Sequence, residues 1–122
     1  MFYSTALPKS PGSAALARQF LDQIRHEVSL EVLENARLLV SELVANSIEH
    51  VREAGEIELR LELSDGVLRV EVLDGGPGFS PPRRARGSDR GWGLHFVDRL
   101  SSRWAIDTDG RSRVWFELLT GD

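Results

Sequence analysis

The sequence predicts an α+β fold of two layers, a β-sheet with helices packed on one face, and three observations carry that prediction. The run EIELRLEL at 56–63 alternates without error, with Ile57, Leu59, Leu61 and Leu63 on one side and Glu56, Glu58, Arg60 and Glu62 on the other. A strand with that period has one dry and one wet face. In LEVLENARLLVSELVANSIEHV, residues Leu33, Ala36, Val40, Leu43 and Val44, then Ser47 and Val51, recur at the spacing of one buried helix face. The elements read in the order β-α-α-β-β-α-β-β, with no repeat and no linker long enough to divide the chain, so residues 1–122 read as a single domain. A sheet that needs cover on one side and helices with one apolar stripe satisfy each other.

A short strand over Phe2 to Leu7 opens the order. Leu16, Phe20, Ile24 and Val28 predict the inner face of the first helix, and Ser29 stands where a hydroxyl would cap the second. Gly55 is expected to end that second helix. Ser64-Asp65-Gly66 is a turn signal between EIELRLEL and the strand VLRVEVL, which Asp74 closes. The segment from Phe79 to Arg90 has adjacent prolines and no apolar period, and reads as a mobile lid. Leu94, Val97 and Leu100 then give the spacing of another helix, and VWFEL at 114–118 closes the sheet.

Composition narrows the partners. No segment is long and apolar enough to cross a bilayer. The first residues, MFYSTALPKSPG, lack a basic start followed by an apolar run, so a cytoplasmic protein is expected. The chain has no Cys, which excludes disulfides and thiolate metal sites, and His26, His50 and His95 have no zinc-like spacing. A net charge of −4 disfavours nucleic acid as the main partner. Fourteen arginines stand against a single lysine, Lys9.

Three motifs carry the chemistry. Glu42, Asn46 and His50 lie four residues apart on the long helix; each step of about 400° turns the side chain by only about 40°, so the three make one polar stripe beside the buried face. The plain reading of such a stripe is a solvated face with weak contacts between turns. The second motif is Asp74-Gly-Gly-Pro-Gly78 at a strand end, where glycines let backbone approach a ligand and an ionised Asp can accept from a base amino group. Its structural alternative is an Asx turn. The third, Gly91-Trp-Gly93-Leu94, opens a helix and leaves backbone N–H groups open to phosphate, or is simply a loop before that helix. No Walker A pattern is present.

In combination and order, these motifs resemble the N, G1 and G2 boxes of the GHKL superfamily, which includes gyrase, histidine kinases and MutL, with the greatest likeness to its anti-sigma factor serine kinases. The resemblance extends over the whole chain, through the strand at Phe2 to Leu7, Ala17-Arg18-x-Phe20, RLLVSELVAN at 37–46 and the closing VWFEL. It implies a Bergerat-type two-layer sandwich, a mixed, mostly antiparallel sheet with helices on one face, and ATP with Mg2+ bound between the layers beneath the lid at about 79–90. Asp74 is then similar to the carboxylate that binds the adenine amino group, with Gly76 and Gly78 shaping the turn. Asn46 resembles the magnesium ligand, a hard oxygen donor suited to an ion that keeps several waters. Glu42 resembles the general base for the oxygen attacking the terminal phosphate. His50 is expected near the phosphates or one layer behind them, and Gly91, Gly93 and Leu94 present backbone amides to the phosphates.

Two departures from the family pattern stand out. Arg90 abuts Gly91 directly, so the arginine that meets the terminal phosphate is to be sought among Arg83, Arg84, Arg86 and Arg90, unless these form only a solvated basic patch. Near the adenine, where Gly-Thr is common, this chain reads Arg111-Ser112, and Ser112 retains a hydroxyl for a water-mediated contact.

The resemblance implies a serine protein kinase that phosphorylates an anti-sigma factor antagonist and sequesters a sigma factor when that partner is absent or phosphorylated; it also leaves room for a homodimer. About thirty residues precede the long helix, too few for a dimerisation hairpin with its phosphoacceptor, so an autophosphorylating histidine kinase is not expected. The alternative is a noncatalytic ATP-dependent binding switch of the same fold, in which nucleotide orders the lid. A degenerate member that binds no nucleotide is the third.

Overall fold

A computed structural model describes residues 1–50, 55–74, 94–107 and 112–120. Strand β1 (Phe2–Pro8) leads to helix α1 (Ser13–Phe20), a 3-10 turn over Leu21–Ile24, and the long helix α2 (Leu30–His50). The hairpin β2 (Glu56–Ser64) and β3 (Val67–Asp74) follows, then α3 (Leu94–Leu100), β4 (Arg103–Asp107) and β5 (Ser112–Leu119). The order is the one expected from the sequence.

The five strands form one sheet in the order β1-β2-β3-β5-β4. Where the resemblance implied a mixed sheet, every pairing among the described strands is antiparallel. Asp65 and Gly66 both have positive φ, 54° and 77°, the backbone of a two-residue turn whose twist matches its strands, which glycine adopts without strain. That turn sets Ser64 against Val67, and the register then carries Ile57 to Asp74 at the far end of the hairpin.

The core lies between the inner sheet face and the helices. Ile57, Leu59 and Leu61 from β2, Leu68, Val70 and Val72 from β3, and Val114, Phe116 and Leu118 from β5 meet Leu33, Ala36, Leu39, Val40, Leu43 and Val44 from α2. Ser29 caps α2 as expected: its Oγ accepts from the Val32 amide at 3.1 Å, and its carbonyl accepts the Leu33 amide at 3.0 Å. The first helix departs from expectation. Leu16 is 43% exposed, and the buried stripe is Ser13, Ala17, Leu21 and Ile24. Ile24 is buried as expected and Phe20 and Val28 pack against the core, so the departure is confined to Leu16, in an α-helix that ends at Phe20 before the 3-10 turn. Val51 and the residues between α2 and Gly55 lie outside the described ones, so the expected helix end at Gly55 has no structural counterpart to set beside it.

The outer sheet face is polar, as the alternation in β2 predicts, and its charges are laced together. Arg69 donates to Glu71 at 2.8 Å and to Glu117 at 2.9 Å while its guanidinium lies 3.9 Å from the centre of the Trp115 ring. Burial works against that charge, but the two hydrogen-bonded carboxylates outweigh it and raise the Arg69 pKa above the ordinary arginine value. Glu71, buried on this face, also has Arg60 and Arg113 at 3.7 Å. A face satisfied in this way needs no second helical layer.

Candidate functional site

The capped, amphipathic α2 fixes where its polar stripe points. Leu43, Val44 and Ser47 are buried against the sheet, and Asn46, next to Ser47 on the edge of that face, is only 5% exposed. Glu42, one turn earlier, is half-buried. The Asn46 Nδ2 is buried with no hydrogen-bond partner among the described residues. Such a donor typically costs about 1–3 kcal/mol when left unpaired.

Asp74 lies in the sheet layer, at the end of β3. It pairs with Ile57 on β2, and residues directly opposite in an antiparallel ladder project from the same side. Since Ile57 is fully buried in the core, Asp74 points toward the helices, with 2% of it exposed. On its other flank the backbone of Ser112 pairs with Asp74. Its Oδ2 lies 2.9 Å from the ammonium of Lys9, whose side chain is 9% exposed.

Lys9 was not among the residues singled out from sequence. It follows β1 directly, two positions after the inward Leu7, and the pairings Pro8 to Glu56 and Ile57 to Asp74 bring it within reach across β2. The one local signal was that it is the chain's single lysine.

The groups present fit a magnesium nucleotide. Asp74 supplies a buried carboxylate acceptor at a strand end, and Asn46 a buried amide on the facing helix. Among the described residues no group of three or more His, Cys, Asp or Glu forms a cage for a metal ion. The Asn46 amide oxygen is the kind of hard donor that could hold such an ion.

The other expected site residues stand differently. His50 ends α2, Leu94 begins α3 and Ser112 begins β5, but their side chains lie outside the described ones. Gly76, Gly78, the lid at 79–90 with Arg83, Arg84, Arg86 and Arg90, and Gly91 and Gly93 lie outside the described residues altogether. No helix among the described residues is long and apolar enough to cross a membrane.

Comparison with known proteins bears on the fold and the family. The chain is 35% identical over 78 residues to the serine-protein kinases RsbW of Listeria innocua serovar 6a and Listeria monocytogenes serovar 1/2a, a match covering 60% of this chain and 50% of each relative. The chain thus spans about half the length of these relatives. Its fold is similar to a crystal structure of the RsbU and RsbW domains of Rv1364c from Mycobacterium tuberculosis, with a TM-score of 0.76 and 21% identity over 98% of this chain and 32% of that one. It is also similar to the histidine kinase AdeS of Acinetobacter baumannii, with a TM-score of 0.60 and 13% identity over 98% of this chain and 68% of that one. Residues 7–117 match the family of histidine kinase-like ATPase domains. Sequence motifs, sheet topology and this match agree, and the chain belongs to the histidine kinase-like ATPase domain family.

Proposed function

We propose that this chain binds Mg-ATP between α2 and the end of β3 and transfers the terminal phosphate to a serine of an anti-sigma factor antagonist in the cytoplasm, holding a sigma factor inactive when that partner is absent or phosphorylated. The observation that carries the proposal is a carboxylate and an amide, Asp74 and Asn46, both buried on the facing layers of the fold. The kinase relatives support the reaction class.

In this reading Asp74 accepts from the adenine amino group, with Gly76 and Gly78 shaping the turn beside it and Ser112 reaching the base through water. The Asn46 oxygen binds the ion that bridges the phosphates, while Gly91, Gly93 and Leu94 offer amides and His50 stands near them. A lid arginine, Arg90 or one of Arg83, Arg84 and Arg86, meets the terminal phosphate. Glu42 takes the proton of the serine hydroxyl. Phosphate transfer needs little beyond such positioning and charge.

Two measurements test the nucleotide site. Mg-ATP at about 100 times its dissociation constant should stabilise the folded chain by about 2.7 kcal/mol, raising the melting temperature by roughly ten degrees in a domain of this size. An unchanged melt in a folded, nucleotide-free sample rejects ATP binding. In calorimetry, Asp74→Asn should weaken ATP by roughly ten- to hundredfold, because an amide can turn a donor toward the adenine amino group and a charged hydrogen bond is lost. Equal affinity would reduce Asp74 to a strand-ending turn residue.

A further inference from the structure

We infer that Lys9 is an internal competitor for the nucleotide base: its ammonium occupies Asp74 in the nucleotide-free chain and must swing away before a base amino group can take that carboxylate. The inference rests on the assignment of Asp74 to the base and adds a residue and a cost to it.

The geometry is specific. Lys9 Nζ and Asp74 Oδ2 are 2.9 Å apart, with 9% and 2% of the two side chains exposed. The ammonium therefore covers part of the small carboxylate surface a base would need. Taking both charges out of water is costly, so a pair this buried is a poor device for stability alone. The backbone on either side of Lys9 is tied down. Pro8 is in register with Glu56, the Ser10 amide donates to the Pro8 carbonyl at 3.0 Å, the Ser13 amide donates to the Ser10 carbonyl at 3.0 Å, and the buried Ser13 hydroxyl donates to the Pro8 carbonyl. What can move is the four-carbon stem, which returns the ammonium to water by rotation about side-chain bonds.

The chemistry of the two rivals differs in charge. The ammonium holds Asp74 as a close ion pair, whereas a base amino group is a neutral donor with a weaker attraction to the carboxylate. The base displaces Lys9 only because ring burial and phosphate contacts add to that single bond. Apparent affinity is then the intrinsic affinity reduced by the fraction of time Asp74 stands released. A pair closed nine-tenths of the time lowers affinity by about tenfold.

The test is Lys9→Met, which keeps the stem and removes the charge. ATP should bind about tenfold tighter by calorimetry, while the nucleotide-free chain melts at a lower temperature because Asp74 has lost its counter-charge. Lys9→Arg, which keeps a cation, should bind no tighter than the natural chain. A purely structural lysine would lower melting temperature and affinity together, so ATP bound equally or more weakly by Lys9→Met overturns the inference and leaves the nucleotide site standing. No binding by either chain removes the nucleotide site and this inference with it. The natural chain gives a second readout if Lys9→Met does not fold. Lys9 is its single lysine, and acetylation by an amine-reactive ester, followed by mass spectrometry, should speed up at Lys9 when Mg-ATP saturates the protein. An unchanged or slower rate counts against displacement.

Discussion

Glutamine in place of Glu42 is expected to lower phosphate transfer by about 10²- to 10⁴-fold while ATP affinity stays close to that of the natural chain. Glu42 lies on α2 one helical turn before Asn46, and four residues of helix rotate its side chain by only about 40° from the proposed ion ligand. It is half-buried where Asn46 is buried, which leaves its carboxylate reachable by a protein hydroxyl in the proposed reaction. The amide has the size of the carboxylate but cannot take the proton of the attacking oxygen. Asn46→Ala should instead lose Mg-ATP binding and turnover together, since it removes the ligand of the ion that organises the phosphates. The measurement is transfer of labelled phosphate from ATP to a cognate antagonist domain, with the modified residue mapped. Undiminished transfer in Glu42→Gln refutes the assigned base, and no transfer to any cognate partner from the natural chain favours the ATP-dependent binding switch.

What the sequence made legible was local. Period two in β2 placed Ile57, Leu59 and Leu61 inside and left the charged residues on the outer face, because in a strand each side chain's direction follows from its neighbour's. The capped α2 was legible for the same reason, and the buried amide of Asn46 follows from its place beside Ser47. Leu39, fully buried, was passed over. It lies beside the expected stripe, and α2 buries a wider arc because α1 packs on it from one side and the sheet from another. The exposed Leu16 marks where reading by period failed. Ala17, one residue on, takes the inward position, while Phe20, Ile24 and Val28 of the expected face still meet the core. The Lys9 to Asp74 pair was illegible in principle from spacing, since it depends on β1 lying two strands from β3 in the sheet order. Strand order is a property of the whole chain. The position of β5 between β3 and β4 is another such fact, and it is what sets Ser112 beside Asp74.

Phe116→Ala should destabilise the fold by about 3–5 kcal/mol, a large share of the roughly 5–15 kcal/mol that holds a domain of this size together. Phe116 is fully buried on β5, in register with Val70 of β3 on one side and Trp104 of β4 on the other. Those neighbours are tied to a laddered backbone and cannot close on the space the ring would leave. Phe116→Leu retains more of the volume and should cost clearly less. Denaturant unfolding followed by circular dichroism gives both values, with an unchanged slope as the sign that stability alone has moved. The same pair of variants separates fold from site. Asp74 and Ser112 pair four positions along the same β3–β5 ladder from Val70 and Phe116, so Phe116→Leu, still folded, should bind Mg-ATP much as the natural chain does. A loss below about 1 kcal/mol in Phe116→Ala would mean that the sheet and helices do not pack around this ring, and the core described between β3, β5 and α2 would have to be redrawn.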